Sequence, residues 1–156
     1  MAALSGVFSF PLTINEKAAR VVAGVVAITG VIALATGAYW LFVPLAYGFW
    51  ARALTGPTLS PLGQLATRVV APRLGAPRYV SGPPKRFAQG MGAAITTAGV
   101  VAWLAGAETL CVVLLVLLVI AATLESVFAL CIGCKVFAVL MRVGVVPQSV
   151  CERCAP

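Results

Sequence analysis

The chain has 156 residues, 62% of them apolar, and a formal charge of +7 from eleven Lys and Arg against four Asp and Glu. Soluble domains sit nearer half apolar and runs of about 20 apolar residues mark membrane spans, so this composition excludes an ordinary soluble domain and leaves no polar length for a second one. Histidine is absent, which excludes His-ligated haem, mixed Cys/His metal sites and His-based catalytic triads. Phosphate loops, dinucleotide glycine fingerprints and Ser-nucleophile elbows are missing too. Excess positive charge in such a chain reports orientation and anionic headgroups before nucleic acid. Residues 1–17 lack a basic n-region and an adequate apolar h-region, so no cleaved signal peptide is expected.

In chain order, residues up to Ile14 read as an interfacial arm, with Phe8 and Phe10 able to dip into headgroups. Asn15 is a good N-cap, and a first span follows at about 16–36, with Lys17 and Arg20 snorkelling from its entry end. Gly37 makes a tight turn into a second span at about 38–54. Tyr39 and Trp40 at one edge, with Phe49, Trp50 and Arg52 at the other, form an expected interfacial belt, and Pro44 should kink the helix.

Residues 55–86 form a basic, Pro-rich loop with no acidic residue. Ser60-Pro61 signals a helix start, and Leu62, Leu65, Ala66, Val69 and Val70 recur at helical spacing until Pro72. That pattern predicts a short amphipathic helix on the membrane surface. A third span at about 87–106 carries Gly90, Ala94, Ala98, Ala102 and Gly106 at four-residue spacing, and Ala19, Ala23, Ala27 and Ala35 nearly repeat it in the first span. Small residues in this register let helix backbones approach closely, so these two faces are expected to pack on each other. A fourth span is expected at about 109–134, with Gly133 and Gly144 as weak points in the apolar run that continues beyond it.

The fold expected is therefore an all-α integral membrane protein with four transmembrane helices, both termini on the same side, and an amphipathic interfacial helix in the central loop. All eleven basic residues fall on that side and only Glu108 on the other. The positive-inside rule places both termini in the cytoplasm of a bacterial cell, with the chain multi-pass in the inner membrane.

Chemistry concentrates at the C-terminal end. Glu125 is the one acidic residue inside an apolar segment, and four of the five cysteines follow as Cys131, Cys134, Cys151 and Cys154, the last two in the tail 144–156. Three readings of the C-x2-C-x16-C-x2-C spacing stay open. Four thiolates could hold zinc, with Lys135, Arg142 and Arg153 offsetting the charge. Each pair could be a reversible dithiol, with Lys135 and Arg153 as charge support. The cysteines could also be small packing residues, the role assigned to Cys111. On a continuous helix Cys131 lies away from any N-terminal dipole. Glu125 then points about 180° from Cys134 at 100° per residue. A structural Glu125 paired with Arg20, Lys17 or Arg52 competes with a proton-donor role.

The sequence resembles an uncharacterised bacterial integral membrane family, the domain of unknown function numbered 4395. The resemblance is carried by Asn15, by Arg52…Gly56-Pro57…Ser60-Pro61, by Gly82-Pro83-Pro84-Lys85-Arg86-Phe87, and by Leu124-Glu125…Phe128…Cys131-Ile132-Gly133-Cys134. It implies a small multi-span protein with a Cys-x-Gly-Cys signature, linked to thioredoxin-like and rhodanese-like sulfur proteins. The tail pair lies outside that pattern.

The function expected is a cytoplasmic-side cysteine centre for thiol redox or sulfur transfer with a soluble thioredoxin-like or rhodanese-like partner. Cys131, Cys134 and Glu125 are the candidate catalytic residues. A non-enzymatic membrane scaffold with a four-cysteine zinc site is the alternative, and a small sulfur-compound transporter a third. Few polar residues in the first three spans count against a wide hydrophilic pathway.

Overall fold

The computed structural model describes residues 10–151. Strand β1 (Thr13–Asn15) leads into helix α1 (Glu16–Thr36), and after a 3-10 turn at Tyr39–Leu41 comes α2 (Phe42–Thr55). Helix α3 (Pro61–Leu65) runs through a π-helical turn at Ala66–Val70 into α4 (Ala71–Arg73). Strand β2 (Tyr79–Ser81) precedes α5 (Gly82–Leu104), α6 (Glu108–Phe128) and α7 (Ile132–Arg142).

Three helices are long and apolar enough to cross a membrane: α1, α5 and α6. The second expected span is shorter than the others. Pro44 sits in the first turn of α2, where a proline removes no intrahelical hydrogen bond. The aromatics of this segment differ in exposure. Trp40 and Trp50 are exposed, while Phe49 is buried.

Short turns join α1 to α2 and α5 to α6, while residues 56–81 connect the two hairpins. Helix α1 packs chiefly on α6 and α2 on α5, and α5 joins the two pairs by touching α6 and α7. The expected contact between the small-residue faces of the first and third spans is not made. Ala94, Ala98 and Gly106 are exposed, and of that stripe Ala102 alone is buried. The seam lies one step around the helix, at Gly92, Thr96 and Gly99. A Cβ at Gly92 would lie 2.3 Å from the Phe49 ring, and one at Gly99 would lie 2.2 Å from the Phe42 ring. Two phenylalanines seven residues apart on α2 thus seat in two gaps seven apart on the antiparallel α5. A bulky ring on one helix needs a missing side chain on the other, and that complementarity outweighs the spacing of small residues alone.

The residues just before α1 are pinned by strand pairing. β1 pairs antiparallel with β2, with Ile14 opposite Val80. Gly82 N–H donates to Leu12 O at 2.8 Å, and Arg78 Nε meets Glu16 Oε2 at 3.0 Å. Asn15 caps α1 by accepting from Lys17 N–H at 3.1 Å, and Ser60 caps α3 by accepting from Gly63 N–H at 3.1 Å. The central helical segment buries its small edge, Gly63, Ala66 and Ala71, and leaves Leu65 and Val69 exposed. Its helical structure passes through Pro72, which was expected to end it. Pro72 offers no N–H, and the ladder widens to a π register just before it, with Ala71 N–H donating to Ala66 O.

Candidate functional site

The apolar run beyond Glu108 is two helices, not one span reaching residue 134. α6 stops at Phe128, and Ala129 takes a left-handed conformation (φ 57°) that alanine pays about 1–2 kcal/mol to adopt. Its orphan carbonyls are satisfied by Arg20 of α1, whose Nε donates to Ser126 O at 2.9 Å and Nη2 to Val127 O at 3.1 Å. A cation at the negative end of a helix also favours the break electrostatically. Arg20 is therefore a helix cap and not the partner of Glu125.

The break places Cys131 at the start of a new helix. Cys131 is the N-cap of α7, and its Sγ accepts from Cys134 N–H at 3.3 Å. A thiol there faces the positive end of α7, the environment that a continuous span would deny it. Cys131 and Cys134 are joined as a disulfide, with Cα atoms 5.2 Å apart. Gly133 sits between them because α7 presses on α5 at this point. A Cβ on residue 133 would come within 2.5 Å of Ala88 Cβ. Phe137 continues the contact one turn on, its ring 5.7 Å from that of Phe87.

The two sulfurs face different surroundings. Cys131 is buried and lines a cavity of about 90 Å³ inside the bundle, together with Glu125, Gln89, Phe49 and Leu118. Cys134 is half-buried, beside the exposed Lys135. Glu125 is paired with Lys85, Nζ to Oε1 at 2.5 Å, rather than with Arg20, Lys17 or Arg52. Lys17 instead donates to Leu74 O at 2.7 Å. Because the helix breaks, the angular separation expected between Glu125 and the cysteines does not apply, and Glu125 and Cys131 share one cavity.

Arg52 extends this network. Its guanidinium is buried, donates from Nε to Gln89 Oε1 at 2.8 Å and from Nη1 to Ser60 Oγ at 3.3 Å, and lies 4.8 Å from the centre of the Phe49 ring. Sequence reasoning missed Lys85 and Gln89. The available signal was Pro83-Pro84: prolines favour the first helical turn, which starts α5 at Gly82 and carries Lys85 and Gln89 onto the inner face of the helix.

Cys151 is buried against Phe137 and Met141 of α7 and is itself disulfide-bonded. Cys154 and Arg153 lie outside the described residues, as does Phe8. Cys111 is fully buried at the opposite end of the bundle, its Sγ 4.0 Å from Gly99 O, a packing position. Among the described residues no group of three or more Cys, Asp or Glu is disposed to hold a metal ion.

Residues 14–142 match the family model described as Domain of unknown function (DUF4395). That range holds Glu125, Cys131 and Cys134 and excludes the tail pair. Neither the curated proteins nor the solved structures contain a match.

Proposed function

The chain belongs to the DUF4395 family, and from that premise we propose that it is an inner-membrane thiol–disulfide protein whose working group is the Cys131–Cys134 pair. The observation that carries the reading is a C-x2-C disulfide at a helix N-terminus, with one sulfur toward a cavity holding a carboxylate and the other toward the surface. Helix starts lower thiol pKa and make the sulfur a better leaving group.

In the reaction, the thiolate of a soluble thioredoxin-like or rhodanese-like partner attacks Cys134 Sγ, the more accessible sulfur. The Cys131–Cys134 bond breaks, and Cys131 leaves as a thiolate held by Cys134 N–H and the α7 dipole. Cys131 takes up the proton that the attacking partner thiol gives up, and Glu125, held as a carboxylate by Lys85, relays it within their shared cavity. A second partner thiol then attacks the mixed disulfide and releases Cys134. Two electrons and two protons move from the partner dithiol to the cysteine pair. The reverse sequence oxidises the pair again. Exchange runs through a partner on the Cys134 side, where the sulfur is less buried than that of Cys131.

The membrane frame is part of the proposal. α2 with its preceding 3-10 turn spans about 27 Å at 1.5 and 2.0 Å per residue, close to the ~30 Å hydrocarbon core, and serves as the fourth crossing. Every basic residue among those described lies on elements at the cysteine end, while Glu108 is at the other, so that end is cytoplasmic.

Thiol counting on the full chain in detergent tests the reading. Reduction should expose Cys131 and Cys134 to alkylation, and mild oxidation should protect both. Cys131→Ser should accumulate a mixed disulfide through Cys134 with an added dithiol protein, because the resolving sulfur is gone, and Cys134→Ser should not. Thiols that stay inert after reduction until the chain unfolds would refute the reading, as would one zinc per chain bound through Cys131 and Cys134.

A further inference from the structure

Ion pairing within the bundle does not balance. Arg52 and Lys85 are both buried, and among the described residues the one carboxylate paired with either is Glu125, bound to Lys85. Two cations against one anion leave a buried excess of one positive charge. Arg52 hydrogen-bonds Gln89 and Ser60 and feels Glu125 only through space, so one carboxylate serves both cations. Burying a cation short of counter-charge is costly, so such a charge calls for an anion.

The space for one is present. Arg52, Lys85 and Gln89 line a second cavity of about 60 Å³, walled by Ala18 and Val22 of α1, Thr67 of the central helical segment, and Phe10 of the N-terminal arm. This cavity and the one beside Cys131 share Ala19, Val22 and Gln89 in their walls, and the Lys85–Glu125 pair links them. Its volume is ample for a bound ion, since a single water needs about 10–15 Å³ of such space. That admits a chloride- or nitrate-sized ion.

We propose that the cavity bounded by Arg52, Lys85 and Gln89 is a binding site for one small monovalent inorganic anion. Arg52 and Lys85 supply the charge and the donors, Gln89 fixes the guanidinium, and the β1–β2 pairing holds the arm that closes the cavity. Lys85 also holds Glu125, so the site adjoins the thiol centre, but anion binding itself requires neither cysteine.

The test is thermal unfolding of the full chain in neutral detergent, with sodium chloride or sodium nitrate exchanged for sodium gluconate at constant ionic strength. The Tm should rise with chloride or nitrate and saturate, as expected when a ligand binds only the folded state. Sulfate should have no such effect. Arg52→Gln should lose the dependence. Thr67→Leu, which fills the cavity and leaves every charge in place, should lose it as well and decides the matter if Arg52→Gln does not fold. Equal Tm in gluconate and chloride, or an undiminished response in Thr67→Leu, would overturn the site. So would stabilisation by phosphatidylglycerol nanodiscs with no response to free anion, which would assign the charge to a headgroup.

Discussion

Lys85 and Glu125, forty residues apart in the chain, meet at 2.5 Å between the first turn of α5 and the last turn of α6. Both side chains are largely withdrawn from solvent, so the pair ties the start of one helix to the end of another where the cysteine pair begins. Removing one partner strands the other charge. Glu125→Gln and Lys85→Met should each destabilise the bundle by about 3–5 kcal/mol, and the double variant Lys85→Met/Glu125→Leu by less than the sum of the single changes. Chemical unfolding in detergent gives the comparison, and additive losses would show that the two side chains do not act as a pair.

The α2–α5 seam predicts unequal sensitivity at adjacent positions. Gly99→Ala drives a methyl into the Phe42 ring and should cost about 1–3 kcal/mol, whereas Ala98→Leu points outward and should be close to neutral. Had the stripe through Ala94 and Ala98 been the packing face, the order would reverse. Melting temperatures of the two variants decide between them.

Gly133→Ala should push α7 off α5 and displace the disulfide it carries. A loss of about 1–3 kcal/mol is expected, together with a changed rate of Cys134 alkylation in the reduced protein. Ala88→Gly in the same chain opens the space the new methyl needs and should restore both. Failure of that second change to restore the alkylation rate would place the effect elsewhere than at the α5–α7 contact.

Orientation is tested by single cysteines in a background lacking the native ones. Ala107→Cys, in the turn between α5 and α6, should react with an impermeant thiol reagent applied to intact cells, and Arg73→Cys after permeabilisation alone. The opposite pattern would put the disulfide outside the cytoplasm and remove a cytoplasmic partner from the mechanism.

Much of the helical frame was legible because it depends on local rules. Asn15 and Ser60 announce their helices through side chains that accept orphan amides, and apolar runs mark segments long enough to cross a bilayer. The chemistry was legible as residue types: one acid within apolar sequence and closely spaced cysteines. Tertiary structure decided how they meet. Ala129 carries no signal for a left-handed turn. The break there depends on Arg20 reaching across from another helix, and it turns Cys131 from a mid-span residue into a helix cap. In the same way, the partner of Glu125 and the face of α5 that packs were set by shape and charge brought together from distant segments. A periodic pattern fixes which residues share a face of one helix, but not which face meets a neighbour. That choice belongs to the rings of Phe42 and Phe49, which fit where α5 has no side chain.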